Sequence, residues 1–184
     1  RVARRAGAVK RDNSIGSAKV AARQRIAAQL APDAWVLEAF AGEGLLYDAV
    51  WRPFLGATID RDETKVQRAA KRRPRWAVYR CDAAKALRHG FMRHVPFQVL
   101  DLDAYGSPWP FFMAWCESER RRAPATHVIC TDGYMARASV GSPDRALFPE
   151  AAGKRDGFLS QDNLTYLARV HEKVRQWAGL FGGR

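Results

Sequence analysis

Five short apolar stretches, each followed by a segment of helical character, constrain this chain more than any other feature of its sequence. The stretches are Trp35 to Phe40, Ala57 to Ile59, Ala77 to Tyr79, Phe97 to Leu100 and His127 to Thr131. Helical segments are expected after them at about Leu45 to Trp51, Glu63 to Lys71, Ala83 to Leu87, Pro110 to Arg121 and Asn163 to Trp177. A further helix face, made by Ala18, Val20, Ala21, Ile26, Ala27 and Leu30, precedes the first stretch. Pro32 ends it, because a proline disfavours helical geometry at the residue before it. Strands and helices alternating at this interval imply right-handed crossovers and a parallel sheet. The expected fold is therefore α/β, with a doubly wound, mostly parallel sheet. Ligands in such sheets sit at the carboxyl ends of the strands.

The first stretch runs into Glu38-Ala39-Phe40-Ala41-Gly42-Glu43-Gly44. Gly42 and Gly44 allow a tight turn and close approach of backbone to a ligand, and the helix after them offers free N–H groups to an anion. A nucleotide-like cofactor fits that arrangement. The third glycine of the dinucleotide fingerprint is replaced by Tyr47, which argues against NAD or FAD. The second stretch runs into Asp60, placed like a carboxylate that accepts from a ribose diol. The third ends at Asp82-Ala83, where Asp82 either accepts from an adenine amine or caps the next helix.

The fourth stretch continues as Leu100-Asp101-Leu102-Asp103-Ala104-Tyr105-Gly106-Ser107-Pro108. A buried strand that delivers two carboxylates, an aromatic ring and a Gly-Ser-Pro turn places charge and a stacking surface at a ligand. This suits methyl transfer to the exocyclic amine of a base. The lone pair of such an amine is delocalised into the ring, so an acceptor oxygen must align it and an aromatic ring must hold the base. Asp103 is the expected acceptor and Tyr105 the stacking partner, while Ser107, Pro108 and Trp109 are expected to meet the substrate.

Asp101 to Pro108 resembles the Asp-Leu-Asp-Pro-Tyr-Gly-Ser-Pro signature of the tRNA guanosine N2-dimethyltransferases, with Ala104 where the signature has proline. Cys130-Thr131-Asp132 is similar to the Thr-Asp strand end found there, and Arg11 to Ile15 to that family's Arg-Asp-Leu-Ser-Val segment. The likeness covers about residues 9 to 136. It implies a Rossmann-like class I methyltransferase fold that uses S-adenosylmethionine and acts in tRNA processing. It also implies Arg11, Asp60, Asp82 and Ala83 at the cofactor and Asp103 at the target amine. Glu38, Phe40, Gly42, Gly44 and Asp101 are expected to complete the cofactor site. The family's separate RNA-binding domain does not fit in the residues after Gly133. Nor does the stretch after the last helix leave obvious room for the usual final antiparallel hairpin, so a sheet short of its C-terminal strands is one outcome.

Charge bears on the substrate. The chain has 184 residues, with 31 Lys and Arg against 19 Asp and Glu, a net charge of +12. Such a field attracts phosphate backbones, and RNA is favoured over DNA as the partner. Basic residues cluster at Arg1 to Arg25, Lys65 to Arg75 and Arg120 to Arg122, with Trp51, Trp76, Trp109 and Trp115 interspersed as candidate stacking surfaces. Three cysteines without a close pair imply neither a disulfide framework nor a metal site. No apolar run approaches a membrane span, and the expected location is cytoplasmic. Residues 1–17 read as a basic arm and residues 18–184 as a single domain. The glycine- and proline-bearing stretch from Ala136 to Leu159 reads as a long loop, either a lid or disordered. Two other readings stay open: a methyltransferase for a small molecule or protein, and a non-catalytic nucleic-acid-binding module on a degenerate fold. Oligomeric state is not legible.

Overall fold

The computed structural model describes residues 16–118, 126–133, 147–148 and 163–180. Its centre is a sheet of five parallel strands: β1 (Trp35–Glu38), β2 (Leu55–Asp60), β3 (Trp76–Arg80), β4 (Val99–Leu102) and β5 (His127–Cys130). They lie in the order β3-β2-β1-β4-β5. Among the described residues five helices accompany them: α1 (Ser17–Ala27), α2 (Glu63–Arg72), α3 (Ala83–Arg88), α4 (Trp109–Glu117) and α5 (Asn163–Leu180). The expected doubly wound α/β architecture is present. The order reverses between β1 and β4, so ligands are expected outside the carboxyl ends of these two neighbours.

Strand residues alternate between two apolar layers, as the period of a pleated strand requires. Leu37, Ile59, Leu100 and Leu102 point to the layer that holds Phe112 and Trp115 of α4. Val36, Trp76 and Val99 point to the other, which holds Tyr47, Val50 and Trp51 and is lined by Val20 and Ile26 of α1. Trp51, Trp76, Trp109 and Trp115 are all buried in these layers. The expectation that these four rings offer stacking surfaces for bases is therefore corrected: burying indoles is what fills a core this size.

Several boundaries differ from expectation for physical reasons. β4 extends through Asp101 and Leu102, because the Asp101 charge is neutralised inside the sheet rather than marking the strand's exit. α4 ends at Glu117. The segment after the glycine turn becomes a π-helical turn at Tyr47–Trp51. Asp62 caps α2 by accepting from the N–H groups of Thr64 and Lys65, which fixes that helix's start. The basic arm falls on residues 1–15, Arg120 to Arg122 on 119–125, and most of the long loop on 134–146 and 149–162, all outside the described residues.

Candidate functional site

Strand parity builds the site. Glu38 and Asp101 are register partners on β1 and β4, and both face the layer beneath α1. Both are buried. A carboxylate can hold its charge there only with a cation beside it. Arg23, from α1, meets Asp101 in a fork, with Nε 2.6 Å from Oδ2 and Nη2 2.6 Å from Oδ1. The Trp51 indole donates to the same Oδ2 at 2.9 Å, and Arg23 Nη2 also donates to the Thr131 hydroxyl at 3.1 Å. Arg73, at the end of α2, pairs with Glu38 and donates to the Ala41 carbonyl at 3.0 Å. Its guanidinium lies over the rings of Tyr47 and Trp76, 4.7 and 5.3 Å from their centroids. Burial pushes the Glu38 carboxyl up to about 7, against the opposing charge of Arg73 and with the Asp101 charge adding to the rise.

In the sequence Arg23 and Arg73 belong to basic clusters; in the fold they are spent inside the protein. Neither carries a local signal of this, because the partners lie 78 and 35 residues away. Asp101, expected at the cofactor, is wholly buried with both oxygens engaged. Its place is corrected to the scaffold under the site, where it fixes α1 against β4.

Above this layer lie the strand ends. Gly42 and Gly44 take φ of +49° and +75°, in a turn closed by the Gly44 N–H donating to the Ala41 carbonyl at 3.1 Å. Side chains rarely adopt that backbone, so the turn selects glycine. Phe40 is half-buried, its ring edge-on to Phe111 at 4.7 Å. Asp60 closes β2 and accepts from the Asp62 N–H at 2.9 Å. Asp82 is exposed and caps α3 by accepting from the Lys85 N–H at 2.9 Å, so the capping role is real. Each of these carboxylates keeps further acceptor sites beyond that one bond. Ala83, buried, opens α3 behind Asp82. Arg11 lies outside the described residues.

At β4, Asp103 is one residue past the strand end and receives the Lys19 ammonium on Oδ1 at 2.8 Å. Its side chain is 20% exposed and that of Lys19 31%. Tyr105 projects into solvent at 78% exposure. Gly106 follows with φ +100°, and its carbonyl accepts from the Gly133 N–H at 3.0 Å, tying this loop to the exit of β5. Ser107 accepts from the Trp109 N–H, and Pro108 is buried at the start of α4. Trp109 is buried too, its indole donating to Asp132 at 3.2 Å. The expectation that Pro108 and Trp109 meet a substrate is corrected: both anchor α4 beneath the loop. Sequence reasoning misses Lys19 altogether, since one lysine in a basic stretch carries no mark of its partner 84 residues on.

No protein-family model matches the chain, and no curated protein matches it. Solved structures do. A Klebsiella pneumoniae protein assigned as an O-methyltransferase superposes with a TM-score of 0.54 at 18% identity, over 93% of this chain and 70% of that one. A Staphylococcus aureus protein assigned as a caffeoyl-CoA O-methyltransferase does so with 0.51 at 13% identity, over 91% and 74%. By strand order and by these superpositions, the chain has the Rossmann-like class I methyltransferase fold.

Proposed function

We propose that the protein is an S-adenosylmethionine-dependent methyltransferase acting on an exocyclic amine of a nucleic-acid base, with guanine N2 in RNA as the favoured target. The observation that carries this reading is the end of β4. There a partly exposed carboxylate, Asp103, and an exposed ring, Tyr105, stand two residues apart in the loop that leaves β4, the strand paired with the one that runs into the glycine turn.

The residues at the neighbouring strand ends suit the cofactor. The positive-φ turn at Gly42 and Gly44 admits close approach of a ligand, and Asp60 and Asp82 offer acceptor oxygens for ribose hydroxyls and an adenine amine. Glu38 and Arg73 support that turn from below, Arg73 through the Ala41 carbonyl. When bound, S-adenosylmethionine supplies an electrophilic methyl group. Asp103 accepts a hydrogen bond from the target amine and so turns its lone pair toward that group. Tyr105 holds the base by stacking, and the proton that the nitrogen sheds passes to Asp103 or to water.

The protein is incubated with methyl-labelled S-adenosylmethionine and separate pools of tRNA, rRNA, duplex DNA and single-stranded DNA, and the labelled nucleoside is identified after digestion. Label on an exocyclic amine in RNA is expected. Asp103→Ala should lower the rate a hundredfold to a thousandfold, roughly the effect of losing one oriented polar group at a transition state. Tyr105→Ala should slow it, and Tyr105→Phe should be mild. Label on a ribose hydroxyl, or on none of the pools, overturns the reading. A hydroxyl acceptor is the second reading, favoured by the assignment of both superposed proteins as O-methyltransferases.

A further inference from the structure

α1 presents two cations one helical turn apart, Lys19 and Arg23, to two carboxylates two residues apart, Asp103 just past the end of β4 and Asp101 within it. The two pairs differ in kind. Arg23 and Asp101 are buried at 1% and 0% side-chain exposure and carry extra bonds from Trp51 and to Thr131. That pair is a fixed clamp. Lys19 and Asp103 are joined by one bond, to Oδ1, and both remain partly open to solvent. Oδ2 of Asp103 takes no hydrogen bond among the described residues.

A second observation concerns where Lys19 sits. It is the third residue of α1, in a first turn with no acidic residue and with no side-chain cap. A cation there opposes the helix dipole, which favours negative charge at that end. Local helix stability does not select lysine at this position, whereas the partner across the gap does. The Lys19 carbonyl also accepts from Arg23 Nη1 at 3.1 Å, so the buried clamp sets the backbone from which Lys19 reaches.

We infer that Lys19 is a positioning and specificity-determining residue for the methyl-accepting group. By holding Oδ1 of Asp103 it leaves Oδ2 to receive the acceptor, and by offsetting the carboxylate's charge it makes the site accept a neutral amine rather than an ammonium. A protonated alkylamine would meet Lys19 as a like charge and gain no net attraction from Asp103. The amine of a nucleobase is neutral and donates without that conflict. This rests on the assignment of Asp103 to the acceptor amine.

The test compares wild type with Lys19→Met, Lys19→Arg, Asp103→Asn and the Lys19→Met/Asp103→Asn double variant. Binding of S-adenosylmethionine is measured by calorimetry, folding by melting temperature, and rates with unfractionated tRNA. All variants should hold the cofactor within about twofold of wild type and melt within a few degrees of it. Lys19→Met should lower kcat by up to about a hundredfold, the scale of a small misplacement of a reacting group, with KM for tRNA unchanged. Lys19→Arg should restore most of that loss, and the double variant should be no slower than Asp103→Asn. A direct readout independent of turnover is calorimetry with butylamine, which should bind Lys19→Met and not wild type. If Asp103→Asn is slow while Lys19→Met turns over like wild type, the inference is overturned and the reading of Asp103 stands. A raised KM with unchanged kcat would make Lys19 a phosphate contact, and weakened cofactor binding would place it in the cofactor site; either overturns the inference. If Asp103→Asn runs at the wild-type rate, the assignment of Asp103 itself falls.

Discussion

Glu38 shows how one buried acid can report on the whole site. Burial holds its carboxyl at about 7, above the ordinary value of 4.5, with Arg73 opposing the shift. Between those two values the folded protein keeps a proton that the unfolded chain has released. Stability from this group is therefore fully present below about 4.5 and is lost as pH rises toward 7 and past it. Urea midpoints at pH 5 and pH 8 should show a fall in wild type that Glu38→Gln reduces. No difference between the two proteins would mean that Arg73 holds Glu38 ionised throughout. What was legible at Asp103 and Tyr105 was their place, past the end of a buried strand and partly or largely open to solvent, because a carboxylate and a ring leading into a Gly-Ser-Pro turn mark a strand's exit. Asp101 was misplaced for the converse reason. From sequence, two carboxylates one residue apart look like parts of one site, and only the register with Glu38 and the reach of Arg23 show Asp101 turned inward.

The pairing of Arg23 with Asp101 ties α1 to the sheet, and the helix's apolar face adds partly buried side chains such as Val20, Ile26 and Ala27. Arg23→Met should therefore destabilise by about 3 to 5 kcal/mol, the range for removing one partner of a buried ion pair, because Asp101 would be left charged and enclosed. Equilibrium unfolding checks the figure, and a loss below about 1 kcal/mol would mean that water reaches Asp101. Helices and strands were legible at this scale because their periodicities are local. α2 and α3 were expected within one residue of where they end, and both begin at a carboxylate cap. β4 was expected to end two residues early, since the cation that lets Asp101 stay inside the sheet sits on an element 78 residues earlier. The four tryptophans were misread for a related reason. Aromatic rings among arginines suit nucleic acid and core equally well, and the composition of a local window does not say which way a ring points.

Across the whole molecule the net charge of +12 remains the strongest pointer to a polyanionic partner. Arg23 and Arg73 are removed from that surface, while Arg61, Arg68, Lys71, Arg72 and Arg75 stay exposed on α2 and the segments flanking it. Binding of a labelled RNA should weaken about tenfold or more between about 50 and 200 mM salt, as expected when a few phosphates are contacted. A flat dependence would favour a small-molecule substrate. The strand order has a further consequence, for the route by which the chain reaches this fold. One edge of β1 pairs with β2, the next strand in the chain, but its other edge pairs with β4, some sixty residues on, and the pair of Arg23 with Asp101 can close only when β4 is in place. Until then an apolar strand edge and an unmatched arginine are both open to other chains, and such long-range parallel pairings close slowly. Nascent protein is thus most exposed to aggregation after β3 has formed and before β4 has docked, and the buried charge pair at the centre of the sheet marks the end of that interval.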